Sequence, residues 1–171
     1  MIEIEQSVDY IDKIVQDLQD YARPLKADVQ EIDLEDLCKE VVFNDGVPKS
    51  IAASCKVDGK PKIMTDPAML KRILINLVTN SVQAMPNGGK LDVSACEEKG
   101  EIVLTVKDTG VGISEDIKPK LFTPLMTNKS KGQGFGLAVV KRMTETLGGT
   151  VTFESEVGKG ATFIIRLPQK S

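Results

Sequence analysis

Apolar residues at Ile4, Val8, Ile11, Val15, Leu18, Ala22 and Leu25 recur at alternating gaps of four and three, the seam of a coiled coil or a two-helix hairpin. Such a helix needs a partner helix, and Arg23-Pro24 ends it, because proline restricts the residue before it and lacks an amide donor. Asp33 with Asp36 then predicts the start of a short helix from Leu34 to Asn44, with Leu34, Leu37, Val41 and Val42 as its apolar positions. Asp66 before Pro67 supplies an N-cap and a first-turn proline for a long helix to about Met85, where Pro86-Asn87-Gly88-Gly89 turns the chain. Lys90 to Cys96 and Glu101 to Lys107 read as the two strands of a hairpin. Asp108 to Gly136, rich in Gly, Thr, Ser and Lys, reads as a long irregular segment of the kind that is usually functional or mobile. A helix is predicted from Phe135 to Leu147, stopped by Gly148-Gly149, and strands at Thr150 to Ser155 and Ala161 to Leu167 close the chain.

The 171 residues, 41% of them hydrophobic, suffice for one core with a short appendage. A net charge of −3 provides no basic field for nucleic acid or anionic lipid, so any phosphate must be held by local geometry. No run approaches the roughly 20 apolar residues of a membrane span, and the acidic start does not resemble a signal peptide. A cytoplasmic piece with no direct membrane contact is expected, a membrane anchor being left to a parent protein. Cys38, Cys55 and Cys96 are far apart and the chain has no histidine, which leaves no zinc spacing and predicts three buried thiols. The missing histidine also excludes a Ser-His-Asp or Cys-His mechanism within the chain.

Three features carry candidate chemistry. On the long helix Asn76, Asn80 and Gln83 share one stripe beside the apolar Leu70, Ile73, Leu74, Leu77 and Ala84; such amides either line a polar pocket or satisfy loop backbone. Asp108-Thr109-Gly110-Val111-Gly112 follows a strand, where the glycines let backbone approach a ligand and the carboxylate can accept from an exocyclic amine; a simple Asp-Gly turn is the alternative. Gly132-Gln133-Gly134-Phe135-Gly136 precedes a helix, so free amides can cradle phosphates with Lys129 or Lys131 adding charge, unless the segment is only a hinge. It is neither a Walker motif nor a dinucleotide fingerprint.

The order of these features resembles the ATPase domain of sensor histidine kinases, of the GHKL superfamily. LINLVTNSVQAM is similar to its N box, VKDTGVGI to its first glycine box, and LFTPLMTNKSKGQGFGLAVVKRMTETLGGTVTFESEVGKGATFIIRLP to its F box, second glycine box and closing strands. The resemblance, over about Ile32 to Pro168, implies a two-layer α/β sandwich: a mixed, mostly antiparallel sheet covered on one face by helices. It implies ATP and Mg²⁺ as ligands, with Asn80 holding Mg²⁺ through its side-chain oxygen and Asp108 recognising the adenine amine. Asn76, Ile113 and Leu137 would line the site, and Gly110 and Gly112 would shape the base pocket. Gly132, Gly134 and Gly136 would form the phosphate lid, Thr162 would lie near the base, and Phe122 matches the F-box aromatic. A single amide suits Mg²⁺, which keeps waters and phosphates in its shell. The lid, Ile113 to Gly134, is predicted to be mobile without nucleotide, since its glycines and scarce apolar residues anchor it little.

Many relatives carry Lys or Arg where Gln83 stands and an aromatic ring where Ala84 stands; Lys129 is the candidate replacement for the charge. The gyrase-like branch has a glutamate where Asn76 stands, and an amide cannot act as its general base. IDKIVQDLQDYARPL resembles the end of the second helix of a dimerisation and phosphoacceptor hairpin, so residues 1–30 are expected to be part of that helix and 31–171 the catalytic domain. Without a histidine the chain cannot phosphorylate itself on one; a truncated kinase is expected, with the phosphoacceptor hairpin of its parent and a response regulator as partners. The rivals are a serine kinase of the anti-sigma type, against which the heptad helix speaks, and a degenerate nucleotide-binding scaffold, against which the intact Asn80, Asp108 and lid glycines speak.

Overall fold

A computed structural model of the chain describes Val15, Gln19 and residues 24–43, 47–59, 62–124 and 134–169. Almost all of the heptad seam lies outside them; Val15 and Gln19 are helical. Leu25, expected as the last seam position, instead packs against the core of the domain together with Ala27.

The first strand, β1 (Gln30–Asp33), runs straight into helix α1 (Leu34–Phe43). Asp33 makes that junction, its Oδ1 accepting from the amides of Glu35 at 2.8 Å and Asp36 at 3.3 Å and so satisfying two donors that a helix start leaves free. β2 (Ile51–Val57) and β3 (Lys62–Thr65) follow. Asp66 then caps α2 (Pro67–Ala84) by accepting from the Met69 amide at 2.9 Å, and its second oxygen accepts from the Asp28 amide at 2.8 Å. One buried carboxylate thereby fixes both the long helix and the chain entering the domain. After α2, β4 (Gly89–Glu98) and β5 (Glu101–Asp108) form the expected hairpin, with Lys99 and Gly100 both at positive φ in its two-residue turn. A single 3₁₀ turn (Lys118–Lys120) interrupts the irregular segment. Helix α3 (Gly136–Thr146) and the hairpin of β6 (Thr150–Glu156) and β7 (Gly160–Pro168) complete the chain.

Five strands make one sheet in the order β2-β4-β5-β7-β6; only the β2–β4 pairing is parallel, and β1 and β3 form a separate antiparallel pair. The mixed, mostly antiparallel sheet with helices on one face is the architecture expected from the sequence. Strand alternation turns Leu91, Val93 and Ala95 of β4, Ile102, Leu104 and Val106 of β5, and Ala161, Phe163, Ile165 and Leu167 of β7 towards the helices. Leu70, Ile73, Leu74 and Leu77 of α2 meet them, all at most 1% exposed, so burying each contributes about 1.5–3 kcal/mol. Asp108 ends β5 on this same inward row, which places a carboxylate at the margin of an apolar core.

Only Cys38 is a buried thiol. Cys55 and Cys96 are half-exposed, because Cys55 lies on the edge strand β2 and Cys96 on the row of β4 that faces away from the helices. Burial pushes the Cys38 thiol up to about 12. Among the described residues no helix is long and apolar enough to cross a membrane.

Candidate functional site

The Asp108 side chain is 2% exposed, and the oxygens of so buried a carboxylate need hydrogen-bond donors. Three serve: the amides of Gly110 at 2.8 Å and Ala161 at 3.2 Å reach Oδ1, and the Ser81 hydroxyl reaches Oδ2 at 3.1 Å. Oδ1 is saturated by backbone, and Oδ2 keeps acceptor capacity beyond Ser81.

Ser81 was not legible as a site residue. It lies in line with Leu74, Leu77 and Val78 on the buried side of α2, and a lone serine among apolar residues reads as core; it is indeed only 1% exposed, but its hydroxyl is bonded to the Asp108 carboxylate. The only signal available was its place beside Asn80.

Gly110 presses against the end of α2. A Cβ there would fall 2.6 Å from the Ala84 carbonyl oxygen and 2.7 Å from the Ala84 Cβ, while the next amide, that of Val111, donates to the same carbonyl at 3.0 Å. Gly112 has φ +72°, and a Cβ on it would collide with the Glu156 carbonyl. Both predicted glycines therefore occupy positions where a side chain meets backbone. Ile113 packs against the core and donates its amide to Ser155 Oγ at 2.9 Å.

The other end of the site lies one turn back along α2. Asn76 is buried and donates to the Arg72 carbonyl at 3.0 Å; among the described residues nothing hydrogen-bonds the amide of half-buried Asn80. A Cβ on Gly136 would sit 3.2 Å from Asn76 Oδ1 and 3.9 Å from Asn80 Nδ2. The first residue of α3 thus faces the predicted amide stripe. Phe135, at the N-cap, offers no side-chain acceptor to that helix start, so among the described residues its first-turn amides carry no side-chain cap, and they stand at the positive end of the helix dipole, which favours an anion. Leu137 is half-buried and packs on the core, and Gly134 has φ +68°. Lys129 and Gly132 lie outside the described residues. Gln83, further along the same helix, is exposed.

Two expectations need correction. Thr162 pairs with Lys107 and Glu154 on the row facing away from the helices, opposite to Asp108. In a strand successive residues alternate faces, so it is Ala161, through its amide, that meets the carboxylate. Residues 113–124 of the lid are also better anchored than composition suggested. Leu121 and Phe122 pack on the core, the Phe122 ring meets Phe153 edge-on at 5.9 Å, and Phe153 continues to Phe163 at 6.1 Å.

α2 thus carries, within two turns, an amide pair against the start of α3 and a hydroxyl against a buried carboxylate. Such an arrangement offers an acceptor for an amine at one end and oxygen and amide groups for phosphates and a hard cation at the other.

The family of histidine kinase-, DNA gyrase B- and HSP90-like ATPases matches residues 65–171. The sensor histidine kinase ZraS of Escherichia coli K12 is 34% identical over 167 residues, covering 95% of this chain and 36% of that protein. The signal transduction histidine-protein kinase AtoS of the same organism is 30% identical, with 95% of this chain and 28% of the relative covered. The chain therefore spans about a third of the length of these relatives. Among solved structures, the nucleotide-free catalytic domain of histidine kinase ThkA superposes with a TM-score of 0.75 at 28% identity, over 83% of this chain and 96% of that one. Full-length ShkA in complex with AMPPNP gives 0.86 at 26% identity, over 98% of this chain and 37% of that one.

Proposed function

We propose that this chain, which belongs to the family of histidine kinase-, DNA gyrase B- and HSP90-like ATPases, binds Mg-ATP along α2 and donates the γ-phosphoryl group to a histidine that another polypeptide segment supplies. The observation that carries this reading is the joint placement of Asn76 and Asn80 against Gly136 and of Ser81 against Asp108 on one helix. Asp108 accepts from the adenine amine through Oδ2, and the start of α3 receives the phosphates. Gly110, Gly112 and Ile113 form the wall beside the base, and Gly132, Gly134 and Lys129 belong to the lid over the phosphates.

The donor set fits Mg²⁺. Among the described residues no group of three or more His, Cys, Asp and Glu gathers as a protein cage, and the oxygen of Asn80 suits a cation that keeps phosphate and water in its shell. When bound, the ion neutralises phosphate charge. Asn76 supplies no proton acceptor, so the site holds and orients its nucleotide and leaves the nucleophile to come from elsewhere.

In the parent kinase that nucleophile is the histidine of a dimerisation hairpin whose second helix ends in residues 1–30, with relay to an aspartate of a response regulator. This is supported by relatives that are sensor kinases and by the similarity to ThkA crystallised with response regulator protein TrrA, at a TM-score of 0.80 and 25% identity. The test is incubation with labelled ATP, alone and with a separately supplied hairpin. The chain alone should gain no phosphohistidine and hydrolyse ATP slowly, and the hairpin should become labelled. Label accumulating on this chain by itself, or rapid hydrolysis without an acceptor, would overturn the reading.

A further inference from the structure

Ser155, near the end of β6, is half-buried and bonded in three directions. Its Oγ accepts from the Ile113 amide at 2.9 Å and donates to the Gly160 carbonyl at 2.8 Å, while its own carbonyl accepts from Lys118 Nζ at 2.7 Å. Each partner belongs to a different part of the nucleotide site. Ile113 closes the loop that begins at Asp108, and Lys118 starts the 3₁₀ turn at the root of the lid, where Glu115 pairs with it. Gly160 precedes Ala161, whose amide holds Asp108 Oδ1.

The turn between β6 and β7 is fastened to the loop at two further points. Gly158 donates to the Val111 carbonyl at 2.8 Å, and Gly160, at φ +89°, lies so close to the Asp108 carbonyl that a Cβ would collide with it. No slack remains between the turn and the strand end, so a shift of the Gly160–Ala161 backbone moves the Asp108 carboxylate.

We infer that Ser155 is a positioning residue for base recognition, tying the root of the lid and the loop after Asp108 to the backbone that aims the Asp108 carboxylate. This rests on the nucleotide reading above. A serine suits the role because one hydroxyl both accepts and donates. Alanine would break both Oγ bonds, and Lys118→Met would remove only the tie to the lid root.

The experiment uses the full chain and compares Ser155→Ala, Ser155→Thr and Lys118→Met by calorimetry with ATP and GTP in Mg²⁺, and by exchange protection of the Ile113 and Ala161 amides. Ser155→Ala should weaken ATP about five- to tenfold, the scale of one hydrogen bond lost, and leave GTP nearly unchanged, since guanine carries a carbonyl oxygen at the ring position where adenine offers its amine to Asp108. The ATP preference should therefore fall, Ser155→Thr should restore most of it, and both amides should lose protection in the alanine variant. Lys118→Met should reduce protection at Ile113 and lower the ATP preference by a smaller factor. A purely structural serine would instead weaken both nucleotides alike. That outcome, or an unchanged ATP preference with loss of protection confined to Ile113, would overturn the inference while leaving the nucleotide reading standing. Failure of the unmodified chain to bind either nucleotide would overturn both.

Discussion

Replacing Asp108 by asparagine separates recognition from folding at this site. Asparagine can keep its oxygen towards the Gly110 and Ala161 amides, which now donate to Oδ1 at 2.8 and 3.2 Å. Its NH₂ group then takes the place of Oδ2, and the Ser81 hydroxyl, now donating over 3.1 Å, turns to accept instead. All three partners stay satisfied, so the fold should lose about 1 kcal/mol or less. At the ligand, an N–H now faces the adenine amine, and a mismatched buried pair costs about 1–3 kcal/mol, or roughly 5- to 150-fold in Kd. Inosine triphosphate presents a carbonyl oxygen where ATP presents that amine. It should bind Asp108→Asn more tightly than it binds the parent chain, narrowing or inverting the ratio of the two affinities.

The control is Asp108→Ala, which would leave two amides and a hydroxyl buried without acceptors at about 1–3 kcal/mol each, a large share of a domain's 5–15 kcal/mol. Calorimetry with ATP and inosine triphosphate, and urea unfolding of all three proteins, check the argument. It is refuted if Asp108→Asn leaves the affinity ratio unchanged, or if that variant unfolds as readily as Asp108→Ala.

Asn80→Ala should abolish the Mg²⁺ dependence of triphosphate binding with little change in the melting of the free protein; retention of Mg²⁺-dependent stabilisation by ATP would remove Asn80 as the metal ligand. Gly110→Ala, with its Cβ forced to 2.6 Å from the Ala84 carbonyl, should destabilise the fold by about 1–3 kcal/mol, seen as a lowered urea midpoint. Cys38, raised from 9.0 to about 12 by burial, contributes stability that is complete below about pH 9 and lost as pH rises towards 12, because the unfolded chain ionises there first. Cys38→Ser should flatten the fall in stability over that window, and an unchanged slope would show that other groups cause it. Hydrogen exchange in the nucleotide-free chain should find Ile113 and Phe122 protected, and full exchange there within seconds would contradict the anchoring seen at Ser155 and Phe153.

How far the sequence could be read followed the range of the interactions. The helices after Asp33 and Asp66, the hairpin through Lys99-Gly100 and the closing strands depend on neighbours within a few residues, and caps, turns and periodicity announced them. β1, β2 and β3 were missed for a different reason. β2 does alternate, Ile51, Ala53, Cys55 and Val57 turning inward, but its small residues weaken the signal, and its parallel partner β4 lies beyond β3 and the whole of α2. β1 and β3 have four residues each and exist by pairing with one another. In the site, Asn76, Asn80, Asp108 and the glycines around them were visible because their motifs are contiguous. Ser81 and Ser155 were not, because each acts through a partner 27 to 42 residues away. Thr162 was misplaced by one residue, which in a strand is the difference between the two faces of the sheet.

The absence of a general base links these details to the direction of the chemistry. On the proposed reading, the position on α2 where a base would activate water is Asn76, and its amide is already turned back to donate to the Arg72 carbonyl at 3.0 Å. An amide takes no proton, and the chain has no histidine that could substitute. Bound ATP is then held by groups that orient and neutralise without attacking, and the rate of its consumption is set by whatever nucleophile is brought to it. Phosphoryl transfer suits this division, since little covalent chemistry is asked of the protein beyond positioning and charge stabilisation. On the same reading, a site that does not choose its acceptor can still choose its donor, and it would do so through Asp108, which three donors hold in place.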